Sequence, residues 1–314
     1  MQRLVSPAFV AAHAAAARSS LTATMGGEQP WRQLARFLLF GTLLLAITFL
    51  ILGVGFAAFP GLADRIPEGT LPDGPLRLAE EGTFALVLGL LLAGPAVAIA
   101  GAAALAWRQP LSAFLWPRRR FDVTQFGVGV LVMAGVGVIT VPLHLLMGSE
   151  WNPPILDPHY AGPTRLTYVL AITAGLLAAA AAEEVVFRGV LLRLTGLITR
   201  APIALCVVNG LLFSAIHLDP DPVAFVARAV SGGVWTWAAL RLGGLEFAIG
   251  AHLASNLFIG LFWAPLSEAA LSQDSAWIDL APEGLVALIT IVFIERLANR
   301  AGSARPDLSP RPAP

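Results

Sequence analysis

The residues of this sequence that could do chemistry are a few ionisable side chains set in apolar runs. After seventeen uncharged residues, 166–182, comes Glu183-Glu184-Val185-Val186-Phe187-Arg188-Gly189. On an α-helix Glu184 and Arg188, four apart, share a face, whereas Glu183 lies five from Arg188 and points elsewhere. Arg188 is therefore expected to neutralise Glu184 and leave Glu183 unpaired. A half-desolvated carboxylate beside a satisfied ion pair gains proton affinity, toward the range useful to a general base. The competing reading is that all three charges mark the interfacial end of a helix, where they reach water. Two further pairs at helical spacing follow, Phe213 with His217 and His252 with Asn256. Histidine and asparagine stacked on one face are polar groups aimed at one point, or a hydrogen-bonded joint between helices.

A depth argument connects the first two sets. In a hairpin turning near residues 199–201, Glu183 precedes position 200 by seventeen residues and His217 follows it by seventeen. Each then lies roughly 25 Å from the turn, so the two face each other. His252 comes only about seven residues into its own helix. For all three to meet, the hairpin tip bearing Arg193 and Arg200 must project beyond the membrane, or a helix must tilt or break. His144, Asn209 and Arg228 could line the same cavity, with Arg228 near enough to Pro222 to snorkel outward. Glu246 and Glu295 fall at helix ends and read as solvated. Trp235, Trp237 and Trp263 read as packing or interface-belt residues, and Cys206, the single cysteine, as a small hydrophobe.

The elements that must position these groups are membrane helices. Of 314 residues 57% are hydrophobic and 13% charged, against about 25% charged in an ordinary soluble domain, which excludes a water-soluble globule. Zero formal net charge removes any global attraction to nucleic acid, and no nucleic-acid partner is expected. Eight windows are long and apolar enough for helices: 37–59, 83–107, 124–148, 166–186, 201–218, 222–241, 245–265 and 281–298. The expected fold is all-α, a polytopic membrane bundle of about eight transmembrane helices over 37–298. A cytoplasmic tail over 1–36 precedes it and a disordered cytoplasmic tail over 299–314 follows. Pro7 to Ala17 could pass for a signal-peptide core, but His13 interrupts it, and Met25 is an alternative start. Fifteen of the twenty arginines fall on one side of the spans, and the connections on the other side are acidic. By the positive-inside rule both termini are expected to be cytoplasmic. All twenty basic residues are Arg, a compositional hint of a GC-rich bacterial genome and hence of a bacterial cytoplasmic membrane.

Glu-Glu-x-x-x-Arg, Phe-x-x-x-His and His-x-x-x-Asn, on successive apolar helices, resemble the CAAX protease and bacteriocin-processing (CPBP) family. Its members are intramembrane endopeptidases related to the type II CAAX prenyl protease. Glu183, Glu184, Arg188 and Gly189 match the first motif, Phe213 and His217 the second, His252 and Asn256 the third. The resemblance implies that Glu183 is the catalytic glutamate, orienting and deprotonating water together with His217. It implies that His252 and Asn256 donate to the oxyanion, supported by Glu184, Arg188 and Phe213. It also implies a partner, a peptide or membrane-protein substrate such as a leader or bacteriocin-like peptide, met in the lipid bilayer. A divalent metal such as zinc would draw on His217, His252 and Glu183. No His-Glu-x-x-His pair is present, and the same residues suffice for a metal-free glutamate mechanism, which is the favoured expectation. Two other classes compete: a non-catalytic scaffold or immunity protein on the same fold, and a proton-coupled transporter. The repeated halves common in transporters are absent from the sequence.

Overall fold

The computed structural model describes residues 7–19, 21, 29–59, 61, 76–117, 120–148, 151, 153–263 and 275–303. Met25 and residues 304–314 of the expected tail lie outside them. The order of helices is α1 (Pro7–Ala17), α2 (Pro30–Ala58), α3 (Arg77–Trp107), the single turn α4 (Ser112–Leu115) and α5 (Val123–Leu146). Then come α6 (Gly162–Glu184), continued by a π-helix (Val185–Leu191) and a last α turn (Leu192–Gly196), α7 (Pro202–Ala215), α8 (Pro222–Leu242), α9 (Glu246–Phe262) and α10 (Leu280–Ser303). Among the described residues there is no strand. The protein is an all-helical integral membrane protein, and α2, α3 and α5 to α10 occupy the eight windows read from the sequence.

Six of the eight are long and apolar enough to cross a bilayer, α7 and α9 being the exceptions. With 14 and 17 residues they reach about 21 and 26 Å, short of a hydrocarbon core about 30 Å thick. The windows 201–218 and 245–265 thus shrink, for local reasons. Helix α7 starts at Pro202 and stops before Leu218, whose φ of 53° is left-handed, with Asp219-Pro220 beyond it. Helix α9 starts after Gly243, left-handed at φ 74°, and Pro265 follows its end in the sequence. His217 lies in the turn that follows α7, and His252 in the second turn of α9.

The helices pair through small residues. A Cβ on Gly89 of α3 would come within 2.4 Å of the Gly175 carbonyl of α6, and one on Gly250 of α9 within 2.2 Å of the Phe126 carbonyl of α5. A Cβ on Gly210 of α7 would meet the Ala229 carbonyl of α8 at 2.3 Å. Close backbone approach of this kind drives association where lipid is as apolar as the side chains. Helix α2 packs chiefly on α3, leaving Leu38, Leu39, Leu43 and Phe49 exposed to the membrane.

Two segments read as tails are partly structured. Helix α1 packs on α8 and α7, and its Ala12 and Ala16 are buried in the same core as Phe187, Phe213 and Trp235. Helix α10 runs five residues past position 298, to Ser303.

Candidate functional site

The site is built on the end of α6 and the second turn of α9. Glu184, the last α-helical residue before the π segment, accepts from Arg188 Nη1 at 3.0 Å, both side chains fully buried. The pairing is the one the spacing implies. Arg188 Nη2 donates to the Gly232 carbonyl of α8 at 2.8 Å, and its guanidinium lies 4.6 Å from the Phe213 ring centroid and 5.5 Å from that of Trp235. A buried guanidinium is tolerated only with such partners.

The same Glu184 oxygen, Oε1, faces His252 Nδ1 at 3.0 Å. Since a carboxylate only accepts, the proton of this contact belongs to Nδ1, which turns Nε2 toward Glu183. Nε2 stands 4.0 Å from Glu183 Oε2. That separation is beyond a direct hydrogen bond and within reach of one shared water about 2.8 Å from each atom. Glu183 Oε2 is buried and has no hydrogen-bond partner, while the side chain as a whole keeps 18% exposure. Glu184 Oε2 is likewise without a partner, but Glu184 is paired with Arg188 through Oε1, whereas Glu183 has no arginine partner among the described residues. Asn256, one turn beyond His252, is partly exposed.

His217 is placed differently. The hairpin register about position 200 holds as far as Phe187 and Phe213, whose rings meet edge to face at 5.2 Å. One turn further, where Glu183 and His217 should face each other, α7 has ended. His217 sits in the turn after it, exposed, with Nδ1 on the Phe213 carbonyl at 2.8 Å. Among the described residues no hydrogen bond or ion pair joins it to Glu183. Its link to the site is the Phe213 ring, 5.0 Å from His217 and 5.9 Å from His252.

Trp235, read from sequence as packing, stacks on His252 at 4.4 Å and 24° and fixes the imidazole plane. Nothing in its spacing distinguishes it from Trp237, two residues on. The weaker candidates have other employment. Asn209 donates to Thr195 Oγ1 at 3.0 Å and to the Leu205 carbonyl, joining α6 to α7. Arg228 pairs with Asp219 at 2.7 Å. His144 lines a cavity beyond Trp235.

Three acid and base positions correct the sequence reading. Glu246 is fully buried and accepts from the Asp122 backbone N–H at 3.0 Å, tying the starts of α5 and α9 together. Glu295 is clamped by Arg241, so neither acid is a free solvated helix-end charge. Arg193 is buried, donating to the Ala113 carbonyl and lying 5.0 Å from the Phe114 ring. The approach to the hairpin tip is thus covered by α4, with Gly189 letting the Phe114 carbonyl approach to 3.1 Å of where a Cβ would stand, while Ile198 and Arg200 at the tip itself are exposed. The Leu115 carbonyl accepts from Leu245 N at 3.2 Å. The π segment, a device frequent at functional sites, follows directly on Glu184 and carries Arg188.

Among the described residues no three His, Cys, Asp or Glu side chains come together as metal ligands. His217 stands apart from Glu183 and His252, so the three are not gathered as a zinc site as placed.

Residues 165–258 match the model of the family described as type II CAAX prenyl endopeptidase Rce1-like, a segment that holds all three motifs. The resemblance read from those motifs holds over this segment. The chain is also 28% identical over 160 residues to the uncharacterized protein YyaK of Bacillus subtilis (strain 168), covering 49% of this chain and 50% of that one. It spans about half the length of this curated relative. No solved structure matches significantly.

Proposed function

We propose that the protein is an intramembrane endopeptidase of the CPBP type, cleaving a peptide or membrane-protein substrate at the membrane with water activated by Glu183. The observation that carries this reading is the convergence of Glu183, Glu184, Arg188 and His252 from two helices on one buried point, with the unpartnered Glu183 Oε2 facing His252 Nε2 across a gap that one water can fill. Water held between Glu183 Oε2 and His252 Nε2 attacks the scissile carbonyl carbon, and its proton passes to Glu183. The carbonyl π electrons move to oxygen, where the Asn256 amide donates to the oxyanion, while His252 Nε2 accepts from the water and orients it. Collapse of the tetrahedral intermediate breaks the C–N bond, and the proton held by Glu183 goes to the leaving amine. Glu184 and Arg188 hold the imidazole, and His217, exposed at the mouth, meets the substrate chain. No step uses a metal.

Peptides that accumulate in a deletion strain supply the substrate, and the protein reconstituted in liposomes is then assayed on it. A general base contributes about 10²–10⁴-fold, and Glu183→Gln is expected to lose that much while folding normally. Chelation is expected to leave turnover intact. Undiminished cleavage by Glu183→Gln overturns the mechanism, and a cellular phenotype that survives the same substitution favours the scaffold class.

A further inference from the structure

A cavity of about 310 Å³, lined in part by Trp235, lies between α5, α8, α9 and α10, within the usual size range of ligand pockets. It begins where the site ends. Trp235 stacks on His252 and also lines the cavity. Ser255 and Ile259, three and seven residues beyond His252 on one stripe of α9, line it too. One helical turn is about 5.4 Å and one extended peptide residue spans about 3.3–3.6 Å. A substrate whose scissile bond lies at His252 therefore reaches this cavity with a side chain one or two residues away.

The walls are mostly aromatic and aliphatic, Phe258 and Trp263 among them, and one carboxylate, Glu283 of α10, lines the same space. Glu283 has no ion-pair partner among the described residues. The sequence has no Arg or Lys between Arg241 and Arg296, so this stretch of α9, its following loop and α10 supplies no permanent cation. His144 is the other titratable side chain on the wall, and it packs against the Trp263 ring at 5.3 Å. Apolar walls with one uncompensated carboxylate suit a side chain that has an apolar stem and a cationic end.

We propose that this cavity is a specificity pocket for an arginine or lysine side chain flanking the cleaved bond, and that Glu283 selects it. The proposal deepens the endopeptidase reading and rests on it for the identity of the ligand. It is tested by binding, separately from cleavage. Protein carrying Glu183→Gln, held in lipid nanodiscs, is titrated with three apolar hexapeptides that carry arginine, citrulline or norleucine at the centre. The arginine peptide is expected to bind about tenfold more tightly than its citrulline isostere, the order of a charged hydrogen-bonded contact. Adding Glu283→Gln is expected to bring the ratio to about one while the norleucine peptide still binds.

A ratio near one with Glu283 intact overturns the proposal, as does a preference that survives Glu283→Gln. If the Glu283→Gln protein binds none of the three, Glu283→Asp decides: retained preference supports the pocket and a ratio of one removes it. Discrimination without any cleavage by the unsubstituted protein would sink the endopeptidase reading and leave the pocket standing. Cleavage without discrimination would do the reverse.

Discussion

Helix α8 carries two tryptophans two residues apart, and each borders an arginine–carboxylate pair. Trp237 Nε1 donates to Glu295 Oε1 at 2.9 Å, and Arg241 grips the same carboxylate through Nε at 2.8 Å and Nη2 at 2.7 Å. Both oxygens are used and the group is partly exposed, Glu295 at 26%. Around Trp235 the pair Glu184–Arg188 is fully buried, yet its bonds are spread. Arg188 divides its donors between Glu184 and a backbone carbonyl, Glu184 shares one oxygen between Arg188 and His252, and Glu184 Oε2 and Arg188 Nε have no partner. A bidentate, saturated pair is a clamp with nothing left to offer a substrate. A buried pair with unsatisfied atoms is retained at a cost in stability, and such cost points to function more than to folding.

The largest effect should come from breaking the buried pair from one side. Arg188→Ala leaves Glu184 buried without a permanent countercharge, a loss of about 3–5 kcal/mol, measured as reduced thermal stability in detergent and reduced yield of folded protein. The double substitution Glu184→Gln with Arg188→Met should recover most of that loss, because the amide oxygen still accepts from His252 Nδ1 and no charge is buried. Its peptidase activity should not recover. Recovery of both would mean that the network is merely structural.

Next in size is the tryptophan that borders the buried pair. Trp235→Leu removes the ring stacked on His252, which leaves the imidazole held by Glu184 and the edge of Phe213, and turnover should fall by about tenfold with orientation loosened. Trp237→Leu removes one hydrogen bond to Glu295 and should leave turnover within about twofold. Equal losses in the two variants, in a side-by-side assay on one substrate, would erase the distinction between the two ends of α8.

How much of this could be read in the sequence depends on how local each contact is. The Glu184–Arg188 pair follows from a spacing of four, and the eight apolar windows from composition. The expected facing of Glu183 and His217 rests on two uninterrupted helices, and α7 stops one turn too soon because Leu218 is left-handed ahead of Asp219-Pro220. Glu246, Glu295 and Arg193 look like helix-end charges until distant segments, the start of α5, the end of α8 and the α4 turn, come to meet them. The π segment over 185–191 has no signature in residue types. Periodicity reports one helix at a time, and what it misses here comes from partners more than fifty residues away or from a break within one helix.

The smallest effect belongs to the clamp. Arg241 is 7% exposed and Glu295 26%, so water competes for the carboxylate and part of the attraction is screened. Arg241→Ala and Glu295→Ala should each cost about 1 kcal/mol, the upper end for exposed pairs raised toward it by bidentate geometry. In a double-mutant cycle the two should couple by about 0.5–1 kcal/mol. Since neither residue touches His252 or Glu183, peptidase activity per folded molecule should stay within about twofold in both variants. The cycle should weaken in high salt, whereas the loss in Arg188→Ala, buried away from ions, should not. A salt-insensitive clamp, or one whose removal silences the peptidase, would show that the two pairs on α8 act as one unit.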